Sequence, residues 1–140
     1  MRVFPGVSCI TLGVEDVQRS TIFYEMLGWR VSRRASGPDA SYFQLNNIVL
    51  ALRSTAALAE VRPDEATPTM VLNQHYGSHR SVAKALYVAA RARAPGVFGP
   101  SRTHDGGSSG GFVDLDGHAW SIAYDPACPP SPDGSLILPA

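Results

Sequence analysis

The chain of 140 residues has no excess of charge, only two cysteines and a single lysine. Twelve basic residues balance twelve acidic ones, so the sequence lacks the positive surface by which proteins bind nucleic acid or acidic membranes. Its apolar runs fall short of the roughly 20 residues that a membrane helix needs. These absences predict a soluble protein with no nucleic-acid or membrane partner.

The scarcity of cysteine bears on the cellular compartment of the protein. Cys9 and Cys128 lie far apart, and no apolar run of signal-peptide length precedes them. We therefore expect reduced thiols and a cytoplasmic protein. Every basic residue except Lys84 is arginine and alanine is abundant, a composition typical of high-GC bacteria. A hydrophobic fraction of 44% suffices for a core without disulfides.

The first half of the chain predicts a strand, a helix and three further strands. An apolar run ends at Asp16, a predicted N-cap, and helical spacing continues until Gly28 supplies a stop. Asn46 and Asn47 are expected to join two strands of a hairpin. The expected elements are strands at 7–14, 29–34, 41–45 and 48–53, a helix at 17–27 and a short helix at 54–61.

The same order recurs after a polar, proline-bounded linker at 62–68. Phe43 and Ala51 align with Phe112 and Ser121, which favours an internal duplication. The expected elements are strands at 69–75, 97–101, 111–114 and 118–124 and a helix at 78–93. The predicted organisation is a first βαβββ module at 1–61, the linker at 62–68, a second module at 69–125 and a proline-rich tail at 126–140.

A segment rich in glycine and serine, from Asp105 to Gly111, interrupts the second half. Its polarity predicts a flexible loop between two strands, and such loops beside a cavity often act as lids. His104 and Asp105 stand at its start, where they either close over a ligand or are solvated.

Two segments carry a family resemblance. The stretch Asp-Leu-Asp-Gly-His-Ala-Trp-Ser at 114–121 resembles the Asp-Pro-Asp-Gly-His-x-x-Glu signature of the vicinal oxygen chelate superfamily, which includes glyoxalase I, extradiol dioxygenases and bleomycin-resistance proteins. Residues 10–29 are similar to the first strand and helix of that family. The resemblance implies an α+β fold in which two tandem βαβββ modules form eight mixed strands curled around a cavity, with the helices outside.

The resemblance also implies four positions that surround a metal ion in the metalloenzymes of the family. They fall on Cys9, Ala51, Ser121 and either Met70 or Val71. A divalent ion that prefers oxygen needs carboxylate or imidazole ligands, whereas this set offers a thiol, a hydroxyl and two apolar side chains. We therefore expect no metal and no other cofactor, and activities that need a Lewis acid are disfavoured.

Metal-free relatives in this family hold a drug in clefts that two chains share. The resemblance thus implies a homodimer that binds an aromatic or planar small molecule, such as an antibiotic or a pathway intermediate, without metal. The alternative is a lyase, isomerase or dioxygenase-like enzyme that uses a displaced metal or acid-base chemistry in the same cavity. No catalytic residue is identified. The candidate ligand-binding residues are Cys9, Tyr42, Gln44, Ala51, Arg53, Asn73, His75, Phe98, His104 and Ser121.

Strand parity places several of these candidates on the cavity side. Arg53 shares the parity of Ala51, and as a buried arginine it would bind either a ligand anion or an acidic residue of the fold. Phe98 is either an aromatic wall or a core residue. Cys9 is expected to be a buried, inert thiol.

Two residues of the signature receive structural roles. His118 follows a turn glycine, and we expect its imidazole to bond local backbone. Trp120 alternates with Ser121 and should face the core or an interface.

Overall fold

The computed structural model describes residues 6–59 and 70–138, so the predicted linker at 62–68 lies outside the described residues. The fold is mixed α+β, as predicted, and within the described ranges no helix is long and apolar enough to cross a membrane. The elements are β1 (Cys9–Val14), α1 (Val17–Met26), β2 (Ala40–Gln44), β3 (Val49–Ser54), α2 (Thr55–Ala59), β4 (Val71–His75), α3 (His79–Arg91), β5 (Gly96–Arg102), β6 (Ser108–Val113) and β7 (Ala119–Tyr124).

Each half of the chain forms its own sheet. In the first sheet the order is β1-β3-β2, with β1 parallel and β2 antiparallel to β3. In the second sheet the order is β4-β7-β6-β5, with β4 parallel to β7 and the other neighbours antiparallel. In both sheets the first strand of the half lies at an edge beside the last strand. This shared order is consistent with two βαβββ modules.

The predicted strand at 29–34 does not form, so the described residues contain seven strands rather than eight. Only Val31 makes an isolated bridge, to Phe43. The Ser32 carbonyl instead accepts hydrogen bonds from the Ser36 amide at 3.0 Å and from the Ser36 hydroxyl at 2.6 Å. Such local bonds compete with a strand ladder, so the contact with β2 ends at the Ser32 amide, which donates to the Tyr42 carbonyl at 2.7 Å.

The prediction of a flexible glycine-rich loop at 105–111 is also wrong. Residues from Ser108 onward belong to β6, and the turn between β5 and β6 covers only residues 103–107. The glycines permit close packing, because a Cβ on Gly110 would lie 2.6 Å from Leu86 Cδ1 and one on Gly111 would lie 2.6 Å from the Phe98 ring. A strand glycine often marks such a close approach. The segment is therefore not the expected lid.

A cluster of aromatic side chains joins the two halves in one core. Tyr24 of α1 stacks on Trp29 with ring centroids 5.4 Å apart and lies 6.1 Å from Trp120 of β7. Trp120 in turn stacks on Phe112 at 6.0 Å. Only 4% of Trp120 is exposed, which confirms its prediction as a core residue. Thus α1 packs against the second sheet as well as the first.

The turn after β6 fastens the second half to the start of α1. Asp116 accepts hydrogen bonds from the Glu15 amide at 2.9 Å and from the Ser20 hydroxyl at 2.8 Å. His118 Nε2 lies 2.8 Å from the Gly13 carbonyl oxygen. The structural role of His118 is confirmed, but the expectation of a local partner is wrong, since Gly13 lies 105 residues away. Asp16 caps α1 as predicted, accepting from the Arg19 amide at 3.0 Å.

Candidate functional site

Alternate residues of the central strands point to opposite faces of each sheet. The face that carries Leu50 and Leu52 in β3, and Trp120 and Ile122 in β7, is buried in the core. We call the opposite face, which carries Ala51 in the first sheet and Ser121 in the second, the site face. It includes the positions that bind metal in the metalloenzymes of the family that the sequence resembles.

The strand registers show which side chains lie side by side on the site face. Ala51 pairs with Thr11 on one side and Tyr42 on the other. Ser121 pairs with Asn73 on one side and Gly111 on the other. Ala51 and Ser121 therefore occupy equivalent places, as their alignment in the sequence predicted.

The register also decides between Met70 and Val71. Cys9 pairs with Val49, two residues before Ala51. Val71 pairs with Ala119, two residues before Ser121. Val71 is thus the equivalent of Cys9, and Met70 lies outside the strand.

The four positions do not offer a ligand set for a divalent ion. Ala51 and Val71 are apolar, Ser121 brings only a neutral hydroxyl, and Cys9 alone has a soft donor. Nowhere in residues 6–59 and 70–138 do three His, Cys, Asp or Glu side chains gather in a way that could hold a metal ion. The residues present therefore do not fit the metal of the family's metalloenzymes.

Cys9 differs from its prediction in burial. The expected buried thiol is exposed, with Sγ 3.9 Å from Thr11 Oγ1. The reason is that β1 is the edge strand of the first sheet, and Thr11 beside it on the site face is exposed as well.

Each sheet presents one aromatic ring beside its central position. Tyr42 is half-buried next to Ala51. In the second sheet the equivalent residue is Gly111, and the Phe98 ring lies where a side chain on Gly111 would stand. Phe98 is 55% exposed, so the alternative that it is a core residue is wrong. The site face therefore has an aromatic surface in both halves.

Three polar candidates share this face. Arg53 is half-buried and has no carboxylate partner among the described residues, whose single ion pair joins Arg33 to Glu25. His75 ends β4, and its Nδ1 is buried without a hydrogen-bond partner in the described part of the chain. Asn73 is exposed and its amide donates to the Val71 carbonyl at 3.2 Å. Arg53 and His75 retain free hydrogen-bonding capacity for a ligand.

The remaining candidates are less well placed. Gln44 is exposed at the end of β2, and its amide donates to the Leu45 carbonyl at 2.8 Å. His104 is exposed in the turn at 103–107, so it does not belong to the strands of the site face. Sequence reasoning missed Thr11, although its parity with Cys9 on β1 places it next to Ala51.

Two cavities lie on the helix side of the second sheet. One of about 340 Å³ is bounded by Trp29, Lys84 and Phe112, and another of about 290 Å³ is bounded by His79, Arg102 and Ser108. None of the ten predicted ligand-binding residues lines either cavity. The cavity expected between the curled strands therefore stays a prediction.

A scan against protein-family models and a search of curated proteins found no match. Solved structures gave matches over most of the chain. A glyoxalase-related enzyme from Fulvimarina pelagi is 30% identical, with 98% of this chain and 100% of that chain covered and a TM-score of 0.84.

More distant structures share the fold. A glyoxalase/bleomycin resistance protein/dioxygenase family enzyme from Burkholderia phytofirmans is 17% identical, with a TM-score of 0.71 over 84% of this chain and 96% of that one. A fosfomycin resistance protein from Mesorhizobium loti is 15% identical, with a TM-score of 0.65 over 87% and 93%. Together with the signature at 114–121, the full-length similarity to the Fulvimarina protein shows that the chain belongs to the vicinal oxygen chelate superfamily of glyoxalase, bleomycin-resistance and dioxygenase proteins.

Proposed function

We propose that the protein is a metal-independent member of the bleomycin-resistance-like branch that binds and sequesters an aromatic or planar small molecule on the site face. The observation that carries this proposal is the chemistry of the four positions that correspond to the metal ligands of the family's metalloenzymes. Cys9, Ala51, Val71 and Ser121 cannot supply the carboxylate and imidazole ligands of a metalloenzyme. What surrounds them instead is suited to binding a ring.

The affinity would come from apolar and aromatic surface, and the orientation from a few polar groups. Tyr42 and Phe98 offer their rings, whereas Ala51, which pairs with Tyr42, is itself 1% exposed and contributes only apolar surface beneath the ring. Arg53 and His75, which have no partner among the described residues, would bond an acidic or carbonyl group of the ligand. We propose an antibiotic or a pathway intermediate of this chemistry.

A second copy of the chain would cover the site face. Thr11 and Asn73, which flank the two central positions, are both exposed in the single chain. The strands that bear them, β1 and β4, each have a sheet edge without a strand partner in the described residues. We therefore propose a cytoplasmic homodimer in which sheets of two chains enclose the ligand.

The second candidate is a metal-free lyase or isomerase that uses the same face. It is favoured by the similarity to a glyoxalase-related enzyme and by the Nδ1 of His75, which has no hydrogen-bond partner among the described residues and would serve as a general base. A displaced metal on His75 and Cys9 would require a third ligand that the described residues do not bring to them.

Calorimetric titration with a panel of planar aromatic antibiotics tests the proposal. Tryptophan fluorescence would report poorly, because Trp120 lies in the core and Trp29 borders the cavity on the helix side of the second sheet, away from the site face. We expect at least one compound to bind with micromolar affinity and Tyr42→Ala to weaken it about tenfold, or 1.4 kcal/mol. Tyr87→Ala is the matched control, since Tyr87 is 62% exposed on α3, away from the site face. Equal effects of the two variants, or no binding by any compound, would count against sequestration.

The same samples separate binding from catalysis. A ligand recovered unchanged by mass spectrometry after prolonged incubation supports sequestration. A product that forms with the wild type and not with His75→Ala supports the enzyme. Elemental analysis of protein purified without a histidine tag gives the third outcome, because stoichiometric zinc, iron or manganese that is lost in Cys9→Ala would overturn the metal-independent proposal.

A further inference from the structure

The cavity of about 290 Å³ lies at the first turn of α3, on the helix side of the second sheet. His79 and Arg80 of α3 bound it on one side, and Ser101, Arg102 and Ser108 of β5 and β6 on the other. Ser108 has the strand parity of Phe112, which faces the core, so the cavity is separate from the site face.

His79 has a buried hydrogen-bond donor for which the described residues provide no acceptor. Arg102 Nη1 lies 3.0 Å from His79 Nε2, and because a guanidinium only donates, Nε2 must be the acceptor. The neutral ring then carries its proton on Nδ1. That atom is buried and has no hydrogen-bond partner among residues 6–59 and 70–138. The edge-on packing of the ring against Tyr124, with centroids 5.0 Å apart, holds this orientation.

Ser108 adds a second unpartnered group. Ser108 is 3% exposed, and its Oγ is buried with no hydrogen-bond partner in the described ranges. Native structures rarely leave buried polar atoms unsatisfied, and an orphaned group often marks the place of an ion or ligand. Two such atoms on residues that line one cavity therefore point to a missing acceptor.

The charges around the cavity have one sign. Neither Arg80 nor Arg102 has a carboxylate within 4.0 Å among the described residues, where the single ion pair joins Arg33 to Glu25. Asp105, the acidic residue nearest to Arg102 in the sequence, already accepts from the Thr103 hydroxyl and the Gly107 amide. The positive end of the α3 dipole lies on the same side. The cavity thus combines two guanidinium groups with two neutral donors.

We propose that this cavity binds a phosphate group, as inorganic phosphate or as the terminal group of a phosphomonoester. A phosphate has acceptor oxygens for both arginines and for the unpartnered donors at once, and guanidinium groups match its geometry. The ligand is chemically different from the one proposed for the site face. It would act as an effector or as a recognition element for a phosphorylated compound.

Binding is tested by calorimetry with sodium phosphate and, separately, with glycerol 3-phosphate, at constant ionic strength and with chloride as the reference anion. We expect saturable binding of at least one of the two, and about a tenfold loss of affinity in Arg102→Gln and in Arg80→Gln. Arg91→Gln is the matched control, because Arg91 lies at the opposite end of α3 and outside the cavity. Tighter binding of glycerol 3-phosphate identifies a phosphomonoester site, and binding of phosphate alone identifies free phosphate.

Ser108→Ala keeps the proposal testable if an arginine variant is unstable. Removing an orphaned hydroxyl should leave the melting temperature of the ligand-free protein unchanged or higher, while it weakens phosphate binding. No binding by either compound at about 10 mM would overturn the proposal. So would equal losses in Arg91→Gln and Arg102→Gln, since these would indicate non-specific attraction. Neither outcome bears on ligand binding at the site face.

Discussion

The Tyr24 hydroxyl donates a 2.6 Å hydrogen bond to Asp114 Oδ2, across 90 residues of sequence. Both residues are almost fully buried, with exposed fractions of 0% and 1%. The same hydroxyl accepts from Trp120 Nε1 at 3.1 Å. One oxygen atom on α1 therefore links the helix of the first half to the turn after β6 and to β7, the two parts of the hairpin that carry the family signature.

Tyr24→Phe should destabilise the protein by about 1–3 kcal/mol, because it leaves Asp114 Oδ2 and the Trp120 N–H short of a buried partner. The free energy of unfolding in urea measures this. Tyr87→Phe is the control, since Tyr87 is 62% exposed and its hydroxyl accepts a long hydrogen bond from Arg91, at 3.4 Å. We expect a change below about 0.5 kcal/mol there. Similar losses in the two variants would contradict a linking role for Tyr24.

Tyr24 should also make stability depend on alkaline pH. Burial, and then the charge of Asp114 and its hydrogen bond, raise the pKa of Tyr24 well above its ordinary value of 10.0. The unfolded chain thus loses its proton at a lower pH than the folded chain. The contribution of Tyr24 to the free energy of unfolding is therefore complete below pH 10.0 and is lost as the pH rises above that value.

The comparison of wild type with Tyr24→Phe between about pH 8 and pH 11 isolates this effect, because the other tyrosines contribute equally to both. Above the ordinary pKa, the wild type should lose up to about 1.4 kcal/mol per pH unit more than the variant. Parallel profiles would show that Tyr24 titrates alike in both states.

The parts of the fold that the sequence predicts well are those that local patterns determine. The helix expected at 17–27 is observed at Val17–Met26, and the one expected at 78–93 at His79–Arg91. The apolar spacing lies within each helix, and the N-cap, Asp16 or Ser78, directly precedes it. The strand expected at 29–34 fails because Ser36 donates two hydrogen bonds to the Ser32 carbonyl. No periodicity in the sequence announces those bonds.

The candidate site, like the fold, has features that local sequence patterns predict and features that they do not. The equivalence of Ala51 and Ser121 follows from strand parity and is found in the register of both sheets. The prediction that Cys9 is buried was wrong, because strand parity shows on which face of the sheet a side chain lies and does not show whether other residues cover that face. The partner of His118 and the orphaned hydroxyl of Ser108 depend on residues distant in sequence. A single sequence carries no signal for them.

Gly110→Ala should test why the glycine-rich segment is a strand. A Cβ at Gly110 would lie 2.6 Å from Leu86 Cδ1 and 2.6 Å from the Phe98 carbonyl oxygen, and backbone cannot move aside easily. We expect a loss of about 1–3 kcal/mol from overpacking, measured by thermal unfolding. Gly37→Ala is the matched control, because nothing lies within 4 Å of its Cβ position. A Gly110→Ala variant as stable as the wild type would mean that α3 and β6 are less closely packed than the 2.6 Å approach to Leu86 indicates.

The proposed homodimer makes a prediction for Val71. It is 51% exposed on β4, a sheet edge that has no strand partner in the described residues. Exposed strand edges pair readily, and lysine on such an edge opposes pairing. The strand Val71–His75 has no lysine, and its exposed valine would lie in the interface. We therefore expect the wild type to sediment as a dimer and Val71→Lys as a monomer with an unchanged circular dichroism spectrum.

Tyr87→Lys separates this effect from a general change of surface charge. Tyr87 is also exposed and largely apolar, but it lies on α3 and away from β1 and β4. The control should remain a dimer and keep the calorimetric signal of the aromatic ligand, whereas Val71→Lys should lose both, because the site face would no longer be covered. A Val71→Lys variant that stays dimeric places the interface elsewhere. One that becomes monomeric yet binds the ligand normally shows that a single chain completes the site, against the shared site proposed for two chains.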